Sequence, residues 1–171
     1  MQTQNNAILR ARNKMINRRI CRVKTMQTLF AYYGDEAAQI NVYEKKLNYS
    51  LDKIKELFIW QLSFLINIFE FERNRIEEAK NKYLPSEVDL NPNMRFIDNA
   101  VINKISENNE FRRKEENFHI SWTDNTELIR SVLNSIKGSN LYIKYMNKAD
   151  NDFAKDRTFI HKIFAEVIAE S

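Results

Sequence analysis

The stretch LNYSLDKIKELFIWQLSFLINIFEFERNRIEEA (residues 47–79) decides the fold class of this chain. Its apolar residues recur every three or four positions, which is the spacing of one face of an α-helix. No glycine or proline interrupts the wider segment of residues 35–83, and the whole chain has only two of each. A β-rich fold needs many more turn glycines, so the sequence predicts an all-α helical bundle. The recurring residues are Leu47, Leu51, Ile54, Phe58, Leu62, Leu65, Phe69, Ile76 and Ala79.

This segment is too long to be one straight helix inside a compact domain. A helix over residues 35–83 would run roughly 70 Å at about 1.5 Å per residue. A domain of this size has a radius of gyration of about 15–16 Å. We therefore expect a long second helix that breaks near residues 48–50, with Ser50 capping the second piece.

The rest of the chain is organised around this segment. Residues 1–14 are polar and rich in Asn and Gln, and they predict a disordered extension before a single helical domain over residues 15–171. Asn17 is a candidate N-cap and Gly34 a stop for the first helix. Residues 84–93 hold both prolines and predict a loop, and residues 124–127 resemble a capping box. The predicted helices cover roughly residues 17–33, 36–48, 51–83, 95–107, 125–137 and 152–169, with a short one near 141–147.

The basic residues are concentrated at the N-terminus. Residues 1–34 hold seven of the chain's 27 Lys and Arg residues and none of its 23 Asp and Glu residues. The rest carries 20 basic against 23 acidic residues, so the net charge of +4 is a local property of this segment. Such a cluster indicates an anionic partner, and charge alone leaves RNA, DNA and a membrane surface open. The seven are Arg10, Arg12, Lys14, Arg18, Arg19, Arg22 and Lys24.

The first helix combines a basic stripe with an apolar face. Lys14, Arg18 and Arg22 are four residues apart and align if the helix extends that far. Gln27 falls in the middle of the apolar face, where a buried amide needs hydrogen-bond partners. We expect Phe30 to face the core. The apolar face consists of Ile16, Ile20, Val23, Met26, Phe30 and Tyr33.

Few residues have the spacing of a catalytic or metal site. Cys21 is the only cysteine, which excludes an internal disulfide and a site with several thiolate ligands. His119 and His161 lie far apart, and no glycine-rich nucleotide-binding motif occurs. The longest apolar stretch, residues 57–71, is interrupted by polar residues and falls short of the roughly 20 apolar residues of a membrane span. We expect a cytoplasmic protein that is not an enzyme, with no catalytic residue, metal or cofactor and no membrane association.

The segment NRRICRVKTMQTLFAYY (residues 17–33) resembles the N-terminal helix of the NusB family of transcription antitermination factors. That family opens with an arginine-rich run followed by a Gln, a small residue, a Leu and an aromatic residue. The matching positions are Arg18, Arg19 and Arg22, followed by Gln27, Leu29 and Phe30.

Two further stretches resemble a longer form of the same family. They are LPSEVDLNPNMRFIDN (residues 84–99) and ISWTDN (residues 120–125). This form has extra helices between the basic helix and the C-terminal half, and the resemblance covers about Met15 to the end. The family's closing motif, of the type "NG.LD", does not appear before Ser171. We therefore expect the chain to correspond to the N-terminal portion of the longer form.

The resemblance implies an all-α protein that binds single-stranded RNA, the boxA element of ribosomal-RNA leader transcripts. It implies a heterodimer with a NusE-type ribosomal protein, within a complex that keeps RNA polymerase from terminating. By position, Arg18, Arg19 and Arg22 fall in the RNA-contacting run, with Lys24 as a further candidate. The alternative is a helical protein-interaction module in which the basic N-terminus is only a solvated face.

Overall fold

The computed structural model describes residues 17–147 and 152–168, and within these ranges it contains helices and turns but no β-strand. The predicted all-α fold class is confirmed. The predicted disordered extension, residues 1–14, lies outside the described residues. The helices are α1 (Arg18–Tyr33), α2 (Ile40–Lys80), α3 (Glu87–Leu90), α4 (Ala100–Ser106), α5 (Asn109–Asn117), α6 (Thr126–Gly138), α7 (Asn140–Met146) and α8 (Phe153–Ile163).

The chain divides into two compact units, Met1–Ile59 (unit 1) and Trp60–Ser171 (unit 2). The boundary falls inside α2. The single helical domain over residues 15–171 stays a prediction.

In unit 1, α1 begins and ends where the sequence predicts. The Asn17 side chain accepts a hydrogen bond from the Arg19 N–H at 3.0 Å, and the Gly34 N–H donates to the Phe30 carbonyl at 3.1 Å. The turn that follows is fixed by Tyr43, whose hydroxyl donates to Asp35 at 2.8 Å. That hydrogen bond raises the pKa of Tyr43.

The predicted break in the second helix is wrong, because α2 is continuous from Ile40 to Lys80. Ser50 does not cap a new helix. Its hydroxyl donates to the Leu47 carbonyl at 2.8 Å, a bond that a helix interior accommodates. The two ends of α2 belong to different units, so the helix does not have to fit inside one compact body.

Unit 2 is a helical bundle with an aromatic centre. Phe69 of α2 stacks on Phe96 with ring centroids 4.0 Å apart, and Tyr145 of α7 stacks on Phe159 of α8 at 3.7 Å. The edge-to-face contact of Phe96 with Phe159, at 6.2 Å, joins the two pairs. Aliphatic side chains complete the buried core: Leu65, Ile66, Ile68, Ile97, Ile102, Ile129, Val132, Leu133, Ile136 and Ile163.

A buried polar network ties α4, α7 and α8 together. Asn99 is fully buried, and its carbonyl oxygen accepts from the Val101 N–H at 3.0 Å. Its amide donates to the Tyr145 hydroxyl at 3.1 Å, and that hydroxyl donates to Asp156 at 2.8 Å. The second Asp156 oxygen accepts from the Ala100 N–H at 2.9 Å. Because Asn99 acts as the N-cap, α4 begins at Ala100 rather than at residue 95 as predicted.

The capping box predicted at residues 124–127 is wrong. Asp124 lies inside a 3-10 turn, Thr123–Asn125, that leads into α6. The N-cap position of α6 is Asn125, whose side chain forms no capping hydrogen bond. A capping box does form inside the predicted loop, where Ser86 and Asp89 bond reciprocally at 3.2 Å and 3.1 Å. This box makes the one-turn helix α3.

Helix α5 has no counterpart among the predicted helices, because residues 110–116 are strongly charged. Phe111 supplies its buried anchor, and Glu115 accepts a hydrogen bond from Ser63 of α2. The indole N–H of Trp122 also donates to Ser63, at 3.0 Å.

The last predicted helices are found with shifted ends. The short helix near 141–147 is α7, and the helix predicted over 152–169 is α8 with a π-helical segment, Phe164–Ile168, after it. Residue 169 lies outside the described residues.

Candidate nucleic-acid interface

Helix α1 carries all four predicted RNA-binding residues, and three of them share one side. Successive helical residues are about 100° apart. Arg18, Arg22 and Arg19 therefore lie within an arc of about 100°, and all three are exposed. We name this set the arginine face. Lys24 lies about 160° around the helix from Arg22 and is half-buried, so it is not part of this face.

The arginine face has no internal counter-charge. Helix α1 has no acidic residue in its first turn. Within residues 17–147 and 152–168, no carboxylate forms an ion pair with Arg18, Arg19 or Arg22. Like charges four residues apart cost about 0.2–0.5 kcal/mol in an isolated helix. The positive end of the helix dipole adds to the repulsion. A bound anion would relieve both unfavourable terms. The predicted Lys14 extension of the stripe lies outside the described residues.

The predicted apolar face of α1 is not buried. No side chain of this helix is buried, and Met26, Phe30 and Tyr33 are 66%, 85% and 81% exposed. The expectation that Phe30 faces the core is therefore wrong. Gln27 is also exposed, so its amide needs no buried partner. Helix α1 meets α2 through Tyr32, whose ring lies edge-on to that of Tyr43 with centroids 5.5 Å apart.

A second group of cations lies on α7 and α8, and sequence reasoning missed it. A cavity of about 320 Å³ between these helices is lined by Lys144, Lys155 and Lys162. The chain after Lys24 has a slight acidic excess, which hides this local cluster. The signal that could have found it is the α8 sequence FAKDRTFIHKI, in which the single carboxylate, Asp156, falls on the buried side.

Other kinds of site find no candidate in the described part of the chain. No group of three or more His, Cys, Asp or Glu side chains there could hold a metal ion. None of the described helices has both the length and the apolarity needed to cross a bilayer.

Comparisons with protein-family models, with curated proteins and with solved structures find no match to this chain.

Proposed function

We propose that this chain is a non-enzymatic, cytoplasmic RNA-binding transcription antitermination factor of the NusB kind. It binds boxA-type single-stranded leader RNA through the arginine face, together with a NusE-type ribosomal protein in the antitermination complex of RNA polymerase. The observation that carries the proposal is three exposed arginines on one side of α1, without a carboxylate partner among the described residues.

The chemistry of this face suits a phosphate backbone. Guanidinium groups bind phosphate oxygens in a bidentate manner and stay charged at any physiological pH. The N–H groups at the start of a helix also favour negative charge. The resemblance of residues 17–33 to the basic helix of the NusB family selects RNA among the possible polyanions.

A salt titration tests this proposal. For single-stranded RNA, the slope of log affinity against log salt concentration becomes shallower by about 0.7 for each phosphate that is no longer neutralised. The variant Arg18→Ala/Arg19→Ala/Arg22→Ala should therefore flatten the slope by about 2. If the affinities converge near 1 M salt, this corresponds to about 100-fold weaker binding at about 0.1 M salt. The measurement is fluorescence anisotropy of a labelled boxA-like RNA across a salt series.

The matched control removes the same charge elsewhere. Lys45, Lys80 and Arg113 are exposed and lie outside α1, so Lys45→Ala/Lys80→Ala/Arg113→Ala should leave most of the slope intact. If the two triple variants lose the same amount of salt slope, binding depends on the total charge of the chain and not on the arginine face, and the proposal is overturned.

One observation favours the alternative, a protein-interaction module. The exposed apolar side chains of α1 form the kind of surface that marks an interaction site. If the module interpretation is right, the arginine triple variant should bind boxA-like RNA with the same salt slope as the unmodified chain, and a purified NusE-type ribosomal protein should bind both. Its binding should then be lost in Met26→Ser/Phe30→Ser.

A further inference from the structure

The cavity between α7 and α8 has a basic rim and an apolar floor. Lys144 of α7 and Lys162 of α8 line it together with Tyr145 and Phe159. Tyr145 and Phe159 are buried and stack on each other at 3.7 Å, so the floor is held in place by the core.

A second cavity, of about 380 Å³, continues along α8. It shares the small residues Ala154 and Thr158 with the first, and Lys162 as well. It adds Arg157 and Phe153 to the lining. We name the two cavities together the α8 groove.

The charge of the α8 groove follows from the amphipathic pattern of α8. The one carboxylate of this helix, Asp156, is buried and accepts hydrogen bonds from Tyr145 and from the Ala100 N–H. The exposed side is left with Arg157 and Lys162. Within residues 17–147 and 152–168, no ion pair joins a carboxylate to either of them or to Lys144.

The groove also offers an aromatic surface. Phe153 is 48% exposed, and the Lys104 ammonium lies 5.5 Å from the centroid of its ring. An accessible ring beside cations is the combination that single-stranded nucleic acids use, with bases stacked on the ring and phosphates on the cations. A base-paired duplex leaves no free base face for such stacking.

We propose that the α8 groove is a second RNA-binding surface, which takes a segment of single-stranded RNA. Lys144, Arg157 and Lys162 contact its phosphates, and Phe153 stacks on one of its bases. The inference rests on the proposed function for the identity of the ligand, but it uses residues of unit 2 rather than α1.

Lysine substitutions test the phosphate contacts. With fluorescein-labelled oligouridine as the probe, Lys144→Gln/Lys162→Gln should reduce the log–log salt slope by about 1.4. If affinities converge near 1 M salt, binding at about 0.1 M salt weakens about 25-fold. The control Lys80→Gln/Arg113→Gln removes the same charge from exposed sites outside the groove and should leave the slope unchanged.

A second substitution tests the stacking contact. Phe153→Ala should weaken oligouridine binding about fivefold or more, because base–aromatic stacking contributes about 1–3 kcal/mol per base. It should leave the salt slope unchanged, since no charge is removed. Tyr83→Ala, at another exposed ring of unit 2, should have no effect. Circular dichroism of each variant confirms that it is folded.

The outcomes separate the two proposals. If the α1 triple variant loses binding while the groove variants do not, the groove inference is wrong and the proposed function stands. If the α1 variant binds RNA normally and the groove variants bind it more weakly, RNA binding by the arginine face is wrong and the inference about the groove stands. If the lysine pair instead governs binding of poly-glutamate and not of oligouridine, the occupant is an acidic protein segment and the inference is overturned.

Discussion

Helices α1 and α6 are of similar length, 16 and 13 residues, and both carry a row of apolar side chains. Helix α6 buries Ile129, Val132, Leu133 and Ile136, whereas α1 buries none. The same contrast holds between the units. Tyr43 and Ile59 are the buried apolar side chains among the described residues of unit 1, and the other sixteen belong to unit 2.

An amphipathic pattern in a helix does not by itself show that its apolar side is buried. A row of apolar side chains on a helix indicates that these side chains avoid water, but the tertiary structure determines which residues cover them. In α6 the core of unit 2 covers this row. On the other side of the helix Glu127 and Arg130 are exposed and form an ion pair with each other. In α1 both the apolar row and the arginine face are exposed.

Truncation of one phenylalanine in each unit should give the largest difference in stability between the two units. Phe69 is 1% exposed and stacked on Phe96, so Phe69→Ala should destabilise unit 2 by about 3–5 kcal/mol. Phe30 is 85% exposed, so Phe30→Ala should change stability by less than about 0.5 kcal/mol.

Urea unfolding measures both variants. Trp60 and Trp122 both lie in unit 2, so tryptophan fluorescence reports that unit, and circular dichroism reports all helices. A loss of several kcal/mol in Phe30→Ala would mean that α1 is buried in solution, and the contrast between the helices would disappear.

A smaller effect concerns the buried network of unit 2. Burial and the hydrogen bond to Asp156 raise the pKa of Tyr145 above 10, its ordinary value. The folded state therefore holds this proton after the unfolded state has released it. The contribution is fully present below about pH 10 and is lost as the pH rises, by up to about 1.4 kcal/mol per pH unit.

Tyr145→Phe tests this contribution. At neutral pH it should cost about 1–3 kcal/mol, because buried Asp156 loses a donor. Between about pH 10 and about pH 12 its stability should fall less steeply than that of the unmodified chain. Burial raises the pKa of Tyr142 as well, so part of the alkaline loss remains. Tyr83→Phe, at a 98% exposed tyrosine, should match the unmodified chain at every pH.

The sequence predicts the helices best where a local signal acts alone. Asn17 caps the start of α1 as expected, because capping depends on neighbouring backbone groups. The helix also ends at Gly34, although this glycine has an ordinary right-handed conformation. The predicted helix break at Ser50 is wrong, because a serine hydroxyl can donate to a carbonyl within a helix as readily as it caps a new helix. Helix α5 was missed because its single buried anchor, Phe111, gives no periodic pattern.

The candidate sites were predictable to different degrees. The arginine face is local to one helix, so the spacing of Arg18 and Arg22 places them together without tertiary information. The α8 groove combines Lys144 with residues of the next helix, and its charge depends on the burial of Asp156. The sequence of α8 shows that Asp156 is its single carboxylate, but the packing of α7 against α8, which brings Lys144 to the groove, depends on the tertiary structure.

The smallest expected change in stability comes from substituting the residue that follows a helix in each unit. His119 follows α5 with φ 50°, a left-handed conformation that costs a non-glycine residue about 1–2 kcal/mol. Gly34 follows α1 with φ −86°, which any residue adopts, and a Cβ there would meet its nearest atom at an ordinary 3.5 Å. The residue types are thus reversed relative to what the backbone needs.

His119→Gly should stabilise unit 2 by about 0.5–1 kcal/mol after the entropy of the added glycine is subtracted. Gly34→Ala should stabilise unit 1 by about 0.4–1 kcal/mol through the unfolded state. Urea unfolding followed by tryptophan fluorescence and by circular dichroism checks the pair. Destabilisation by Gly34→Ala would mean that the end of α1 is more crowded in solution than its exposed surface indicates.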